Sequence, residues 1–320
     1  QLSGTDALKQ VPASSIEKIE LITNPSAKYE AEGLSGIINI ITKKNTMMGF
    51  NGLINTSVGT GHKYSTNGTF NFRKEKLNLI TGIEFLENYE AVDIDQSSII
   101  FDPADNYYQN GNIHNVNMQD ALILTLGFDY DFNDKNTLSV LGKGGRRGYD
   151  DESKSESNDY TDLNPAKNYK DSYKYFDVYG DVMEYTLDYK NKIGENHEFT
   201  LAGHYQSWNG YDAEDLRATI GDSIDEMHYY KKTDFNYNTR LKADYKRPLG
   251  KKGSIEAGYQ FKFNDRYEEI NFDNYDVNTG EMVHNTMFSN DLHYYRYIHA
   301  GYTTYSSEFK GFKYKVGIRG

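Results

Sequence analysis

The segment His204–Trp208 (HYQSW) carries the residue types in this chain that best suit contact with a ligand. His204, Gln206 and Trp208 alternate with Tyr205 and Ser207. Successive side chains of an extended strand point to opposite sides, so the first three would share one face. An imidazole, an amide and an indole together offer hydrogen-bonding groups and one large ring. The pattern predicts either ligand-facing side chains or the ordinary polar lining of a strand.

No catalytic or metal-binding motif accompanies these residues in the sequence. The chain has no GxSxG and no HExxH, and GKGGRRG at 142–148 lacks the ending of a phosphate-binding loop. It has no cysteine, which excludes disulfides and thiolate metal sites. The acidic run at 150–162 lacks the spacing of a calcium loop. We therefore expect a protein that is not an enzyme and that needs no metal or cofactor.

The composition indicates an ordered chain without helical membrane spans. Only 37% of the 320 residues are hydrophobic and the net charge is −12, values that approach those of disordered chains. The 29 tyrosines and 16 phenylalanines argue against disorder. No apolar segment is long enough for a membrane-spanning helix, and the acidic balance argues against a nucleic-acid partner.

From Phe50 onward, apolar and polar residues alternate with the period of a β-strand. One face of residues 121–132 would carry Leu122, Leu124, Leu126, Phe128, Tyr130 and Phe132. The pattern predicts eleven strands, near 50–59, 64–74, 77–90, 118–132, 137–149, 177–190, 197–211, 227–246, 254–268, 287–304 and 312–320. Long polar loops are predicted at 91–117, 150–176, 212–226 and 269–286, and tight turns between the other strands.

Alternating short and long connections are typical of an outer-membrane β-barrel, with short turns on the periplasmic side and long loops outside. Several predicted strands exceed the length of about 5–6 residues that is usual in soluble sheets. Tyrosines near strand ends, such as Tyr89, Tyr149 and Tyr245, would form an aromatic girdle at the membrane interface. A soluble β-barrel or sandwich is the alternative.

Residues 16–44 (IEKIELITNPSAKYEAEGLSGIINIITKK) differ from this alternating remainder. They predict a short helical turn passing into a strand, a loop, and a second strand at 37–42. The segment resembles the C-terminal end of the plug domain of TonB-dependent outer-membrane receptors, most closely those of Bacteroidetes-type bacteria. Asn24 stands where that family more often has Gly. The matching positions are Ile16, Glu17, Ile19, Glu20, Ile22, Asn24, Pro25, Ser26, Tyr29, Gly33, Gly36, Ile38, Asn39, Ile40, Thr42 and Lys43.

The resemblance implies an all-β fold in the bacterial outer membrane. Residues 47–320 would form the N-terminal part of a transmembrane antiparallel β-barrel, about half of a barrel of roughly 22 strands. Residues 1–46 would be the C-terminal part of a small α/β plug domain. Half a barrel leaves two unpaired edges in lipid. We therefore expect the chain to be a fragment of a longer receptor.

The resemblance also implies a function and partners. Such a receptor takes up a scarce or large ligand, for example a siderophore, haem or a glycan. The TonB energy-coupling complex would act through a segment upstream of this chain; outer-membrane lipids, an unknown small ligand and a surface lipoprotein would be further partners. Glu30 and Glu32 would either face barrel arginines or be solvated. Structural and gating roles in the plug would fall on Asn24, Pro25, Tyr29, Glu30, Glu32, Gly33, Gly36, Asn39 and Lys43.

Three other functions remain open at this point. A non-transporting barrel with a structural or adhesive role would lack an upstream energy-coupling box. A barrel enzyme would need acid, His or Ser groups that converge at the outer rim. A soluble β-rich binding protein would remain in solution without detergent.

Overall fold

A computed structural model describes residues 16–22, 27, 37–42, 48–250 and 252–320. Across these ranges the chain forms two antiparallel β-sheets and no helix. No helix in the described part of the chain is therefore long and apolar enough to cross a membrane.

The smaller sheet consists of β1 (Ile16–Ile22) and β2 (Ile37–Thr42). The two strands pair antiparallel, with Ile22 opposite Ile37. Both segments are rich in β-branched isoleucine, which favours strand over helix. The helical turn predicted at the start of β1 is therefore wrong, whereas both strands are confirmed.

The larger sheet has twelve strands, and each of its main strands pairs with its neighbours along the chain. Such an antiparallel meander needs only hairpin connections. All eleven predicted strands are present in the predicted order, and a short twelfth strand, β12, pairs with β11 alone. The strands are β3 (Gly49–Gly59), β4 (Lys63–Lys74), β5 (Leu77–Ile100), β6 (Tyr107–Asn133), β7 (Asn136–Thr161), β8 (Asn168–Gly194), β9 (His197–Ile220), β10 (Ser223–Leu249), β11 (Gly253–Asp276), β12 (Glu281–His284), β13 (Asn290–Phe309) and β14 (Phe312–Arg319).

The larger sheet is open over the residues that the structure describes. Strands β3 and β14 lie at its two ends and do not pair with each other there. The prediction of an all-β antiparallel fold is confirmed, and the open sheet agrees with a partial barrel. The helical part of the predicted plug domain has no counterpart in the described ranges.

The connections at one end of the sheet are tight, as predicted. Turns at Glu75, Asn196 and Lys310 contain residues with positive φ, which short hairpins require. At the other end the predicted long loops at 91–117, 150–176, 212–226 and 269–286 are wrong. Strands β5 to β11 continue through most of these stretches and reach 24–27 residues.

The larger sheet has one apolar face and one polar face. We define the apolar face by Leu122, Leu124 and Leu126 of β6, which are 49%, 54% and 67% exposed. Nothing in the described structure packs over them, and buried apolar residues are few. The eleven residues from Leu122 to Phe132, at about 3.3 Å per residue and a tilt of about 40°, span about 25 Å. That height equals the apolar band of a membrane-spanning barrel.

A row of charged residues ends the apolar band on the side away from the tight turns. Glu87 and Asp120 lie opposite each other on β5 and β6. Arg146 Nε donates to Asp181 Oδ1 at 2.8 Å on the next two strands. Above this row the strands continue with polar residues on both faces. We call this part the extension.

Loss of alternation explains why sequence patterns failed in the extension. Water can solvate both faces there, so no face has to be apolar. Cross-strand pairing nevertheless continues, for example from Asp150 to Asp177. Tyr149, predicted in the aromatic girdle, lies instead on the polar face and accepts a 3.0 Å hydrogen bond from Asn117 Nδ2.

Candidate functional site

His204, Gln206 and Trp208 lie on the polar face of β9. Trp208 is opposite Val182 on β8 and Asn236 on β10. Gln206 is exposed, and the other two side chains are half-buried. The structure thus brings the three residues to one face near the upper end of the apolar band.

The indole of Trp208 lies against the backbone of two glycines. Gly180 and Gly210 are cross-strand partners. A Cβ at Gly180 would lie 2.6 Å from Trp208 Cζ2, and a Cβ at Gly210 would lie 2.8 Å from the same atom. Any side chain at these positions would displace the ring, so the glycines let the ring cover the sheet backbone. We call this arrangement the Trp208 platform.

A cluster of amides borders the Trp208 platform. Asn264 Nδ2 donates to Asn238 Oδ1 at 2.7 Å and contacts Asn236 Oδ1 at 3.0 Å. Asn238 Nδ2 also donates to Asn236 Oδ1 at 3.0 Å. Asn236 is the cross-strand partner of Trp208. The cluster therefore sets uncharged hydrogen-bonding groups beside an aromatic ring.

Most charged groups around the platform pair with a group of opposite charge. Arg147 Nη2 lies 3.0 Å from Glu84 Oε1 on one side. Arg266 Nη2 lies 3.2 Å from Asp234 Oδ2 on the other. His204 Nδ1 lies 3.9 Å from Glu184 Oε1, which is long for a hydrogen bond.

In the extension, burial and neighbouring charges change several pKa values. Burial opposes ionisation of Glu214, but hydrogen bonds from Lys174 and His228 outweigh it and lower the pKa of this carboxyl. Burial raises the pKa of Asp150, and the nearby charge of Asp177 raises it further. Burial also raises the pKa of Tyr175 to about 12, helped by the charges of the same two aspartates. Ionisation of Glu214 should therefore stabilise the fold, and ionisation of Asp150 should destabilise it.

The segment between β1 and β2 touches the polar face of the larger sheet at one described residue. Arg319 Nη1 donates to the carbonyl oxygen of Ala27 at 3.4 Å. A Cβ at Gly317 would lie 3.0 Å from Ala27 Cβ. Arg319 Nη2 also donates to Gln260 Oε1 at 2.9 Å, and the guanidinium lies 5.4 Å from the ring centroid of Tyr302. The Tyr302 hydroxyl in turn donates to Asp244.

Most residues predicted to act in the plug lie outside the described residues. Only Asn39 is placed, in β2 opposite Glu20. The roles predicted for the whole set therefore stay predictions. Those outside are Asn24, Pro25, Tyr29, Glu30, Glu32, Gly33, Gly36 and Lys43.

The described residues contain no group of three His, Asp or Glu side chains arranged to hold a metal ion. A cavity of about 250 Å³ lies in the extension, lined by Tyr175, Asp177, Tyr211 and Tyr229 among others. These four residues point to the side opposite the polar face, because they alternate with polar-face residues along β8, β9 and β10. The cavity is therefore separate from the Trp208 platform.

Sequence patterns missed the residues that surround the platform on neighbouring strands. The amide cluster spans β10 and β11, and its members are 26 and 28 residues apart along the chain. Counting back from the turn that joins β10 to β11 would have paired Asn238 with Asn264. The turn can be recognised in the sequence, but the cross-strand pairs of β10 and β11 can be counted from it only when the register of the two strands is known.

The family model for the outer membrane protein beta-barrel family matches residues 188–320. The matched region runs from the end of β8 to β14 and includes Trp208 and Gly210 of the platform, but not Gly180. The antiparallel meander, the exposed apolar face of about 25 Å and this match agree. The protein is an outer-membrane β-barrel protein, and it is located in the bacterial outer membrane.

Proposed function

We propose that the protein is a TonB-dependent receptor that takes up a scarce or large ligand. In this proposal residues 1–46 belong to a plug, and residues 47–320 form the barrel wall. The resemblance of residues 16–44 to the plug of these receptors supports it. The polar face would line the lumen, and the apolar face would meet lipid.

The contact between Arg319 and Ala27 carries the proposal. Ala27 belongs to the segment that resembles the plug, and Arg319 belongs to the polar face of β14. A wide barrel needs a stopper in its lumen if it is not to leak. A plug segment hydrogen-bonded to the lumen wall meets this requirement.

The surroundings of Arg319 suggest how the plug would be held and released. The guanidinium is fixed by Gln260 and by the ring of Tyr302, so its position does not depend on the plug. Its bond to Ala27 is 3.4 Å long, which is beyond the usual range of about 2.7–3.2 Å and indicates a weak bond. Such a bond contributes about 0.5–1.5 kcal/mol in net terms. A mechanical pull on the plug could therefore break it without disturbing the wall.

The proposal makes the energy-coupling complex and a small ligand the partners of this protein, with a surface lipoprotein as a further one. No chemistry on the ligand is required, because the receptor moves its cargo unchanged. The expectation that the protein is not an enzyme is part of the same proposal.

Reactivity of a cysteine at position 27 tests energy-dependent plug movement without knowledge of the ligand. The chain has no cysteine of its own, so Ala27→Cys creates a single reactive site. In intact cells we expect a membrane-impermeant maleimide to label this site faster when the inner membrane is energised than after an uncoupler is added. Energisation would weaken the contact that shields Ala27.

A cysteine on the wall provides the control. Thr186→Cys lies on the polar face of β8 and should label at the same rate in both conditions. Labelling of position 27 that does not depend on energy would contradict the proposal. That result would favour the alternative of a non-transporting barrel with a structural or adhesive role.

A further inference from the structure

Two arginines on the polar face stand apart from the others. The arginines of this face are Arg73, Arg147, Arg240, Arg266, Arg296 and Arg319. Four of them bind a carboxylate, amide or carbonyl oxygen. Arg240 and Arg296 are exposed, and neither makes a hydrogen bond or ion pair within the described part of the chain.

The strand register places these two arginines beside a third cation. Arg240 on β10 lies opposite Lys262 on β11. Arg296 on β13 lies opposite Asn264, two residues further along β11 from Lys262. Like charges on directly opposed residues destabilise a sheet. A bound anion would stabilise Arg240 and Arg296, which have no hydrogen-bond or ion-pair partner within the described part of the chain.

The cluster lies next to the Trp208 platform on the same face. Arg240 is opposite His204, and Asn236 is opposite Trp208. The two positions are four residues apart, which corresponds to about 13 Å along the strand. The exposed Gln206 and the amide cluster lie between them. One ligand can therefore contact the ring at one end and the arginines at the other.

We propose that this surface binds a ligand that carries carboxylates beside a ring. The ring would stack on Trp208, and the carboxylates would bind Arg240 and Arg296. Guanidinium groups suit this role because they present paired donors that match a carboxylate. Gln206 and the amides of Asn236 and Asn264 would hydrogen-bond to polar groups on the ring. The assignment deepens the proposed function by naming a cargo class, but binding at this surface does not require transport.

Trp208 is the only tryptophan, so its emission reports directly on the platform. Four probes separate the parts of the ligand: trigalacturonate, maltotriose, citrate and trimesate. Trigalacturonate has sugar rings with carboxylates, maltotriose has rings without them, and citrate has carboxylates without a ring. Trimesate, followed by calorimetry, tests an aromatic ring acid against the sugar acid.

With the purified chain in detergent, we expect at least one of the two ring acids to bind saturably and more weakly as salt is added. If trigalacturonate is the ring acid that binds, its binding should change the emission of Trp208. Maltotriose should bind at least about tenfold more weakly, because a hydrogen bond to a charged group is worth about that factor or more. Citrate should bind without changing the emission of Trp208.

Substitutions test the residues. Arg240→Ala combined with Arg296→Ala should weaken ring-acid binding roughly ten- to a hundred-fold. Trp208→Phe, followed by calorimetry, should weaken it less, because a smaller ring remains. Arg217→Ala is the control, since Arg217 is also an exposed arginine, but it lies on β9 and points to the opposite side of the sheet. It should bind like the unaltered protein.

Three results would overturn the assignment. The first is that neither ring acid binds up to millimolar concentration. The second is that maltotriose binds as tightly as trigalacturonate. The third is that the double arginine variant binds the ring acids as tightly as Arg217→Ala does. Loss of shielding at Ala27 in the double variant, with ring-acid binding unchanged, would instead assign the arginines to the plug. Because these measurements need no energised cell, they can fail while the energy-dependent labelling succeeds, and the reverse.

Discussion

Arginine substitutions at neighbouring positions of β8 should separate the two faces of the sheet. Leu187 is on the apolar face and 48% exposed. Thr186 precedes it and therefore points to the polar face, opposite His204. The variants Leu187→Arg and Thr186→Arg place the same charge at almost the same height. Only the first of them should put it in hydrocarbon.

The position of Leu187 sets the expected magnitude. Asp181 marks the charged row that ends the apolar band on β8. Leu187 lies six residues below it, which at about 3.3 Å per residue and a tilt of about 40° is about 15 Å in depth. This depth is the middle of a hydrocarbon core about 30 Å thick. Arginine at the midplane costs a membrane barrel about 2–4 kcal/mol, or roughly a 30- to 700-fold change in the folding equilibrium.

Reversible unfolding by guanidinium in phospholipid vesicles, followed by Trp208 emission, would measure this difference. Leu187→Arg should lower the free energy of unfolding by the amount above. Thr186→Arg should change it by less than about 1 kcal/mol, because a polar face accepts charge. Equal losses for the two variants, or no loss for Leu187→Arg, would refute the assignment of the faces.

Further predictions concern the glycines under the platform and the pH response of the extension. Gly180→Ala should displace the Trp208 ring and shift its emission, because the new Cβ would lie 2.6 Å from Cζ2; Gly301→Ala, where a Cβ meets nothing within 4 Å, is the control and should leave the emission unchanged. Glu214→Gln should lower stability at neutral pH, since a lowered carboxyl pKa stabilises the fold above the unfolded pKa and this gain is lost as pH falls through the folded pKa. Asp150→Asn should raise stability at neutral pH, since a raised pKa makes the ionised carboxyl unfavourable in the fold. Denaturant midpoints at neutral and acid pH would check both variants, whose effects should shrink in acid; a shift of the same sign for both would contradict the stated causes.

Sequence patterns predicted the membrane-facing part of the sheet well. Between Leu122 and Phe132 lipid on one side and water on the other impose alternation, so strands and faces can be identified from residue types. The tight turns could also be predicted, because each comes directly after a segment in which apolar and polar residues alternate. The alternation of side chains along a strand is sufficient to predict that His204, Gln206 and Trp208 share one face.

The extension was not predictable in the same way. Residues 150–161 are acidic and serine-rich, which is typical of a loop, yet they form the upper part of β7. Backbone pairing with β6 and β8 holds them as strand. The hairpins set the register of that pairing, so the pairing cannot be recognised from the residue types of the paired strands.

The arginine cluster shows a second limit of sequence patterns. Arg240 and Arg296 are 56 residues apart in the sequence, and only the register of β10, β11 and β13 brings them near each other. Whether an arginine has a partner also depends on neighbours from other strands. Arg266 and Arg296 look alike in the sequence, but only Arg266 meets carboxylates, those of Asp234 and Glu268.

The proposed function depends on the contact between Ala27 and the polar face of the larger sheet. Disulfide formation between paired cysteines tests it directly, because the chain has no other cysteine. Ala27→Cys with Gly317→Cys should cross-link under mild oxidation, since their Cβ atoms would be 3.0 Å apart. A shift of about 0.5 Å would bring them to the separation of about 3.5–4.5 Å that a disulfide needs. Ala27→Cys with Ile318→Cys should not cross-link, because Ile318 is 70% exposed on the opposite face. Cross-linking at position 318, or none at position 317, would contradict the contact of Ala27 with the polar face.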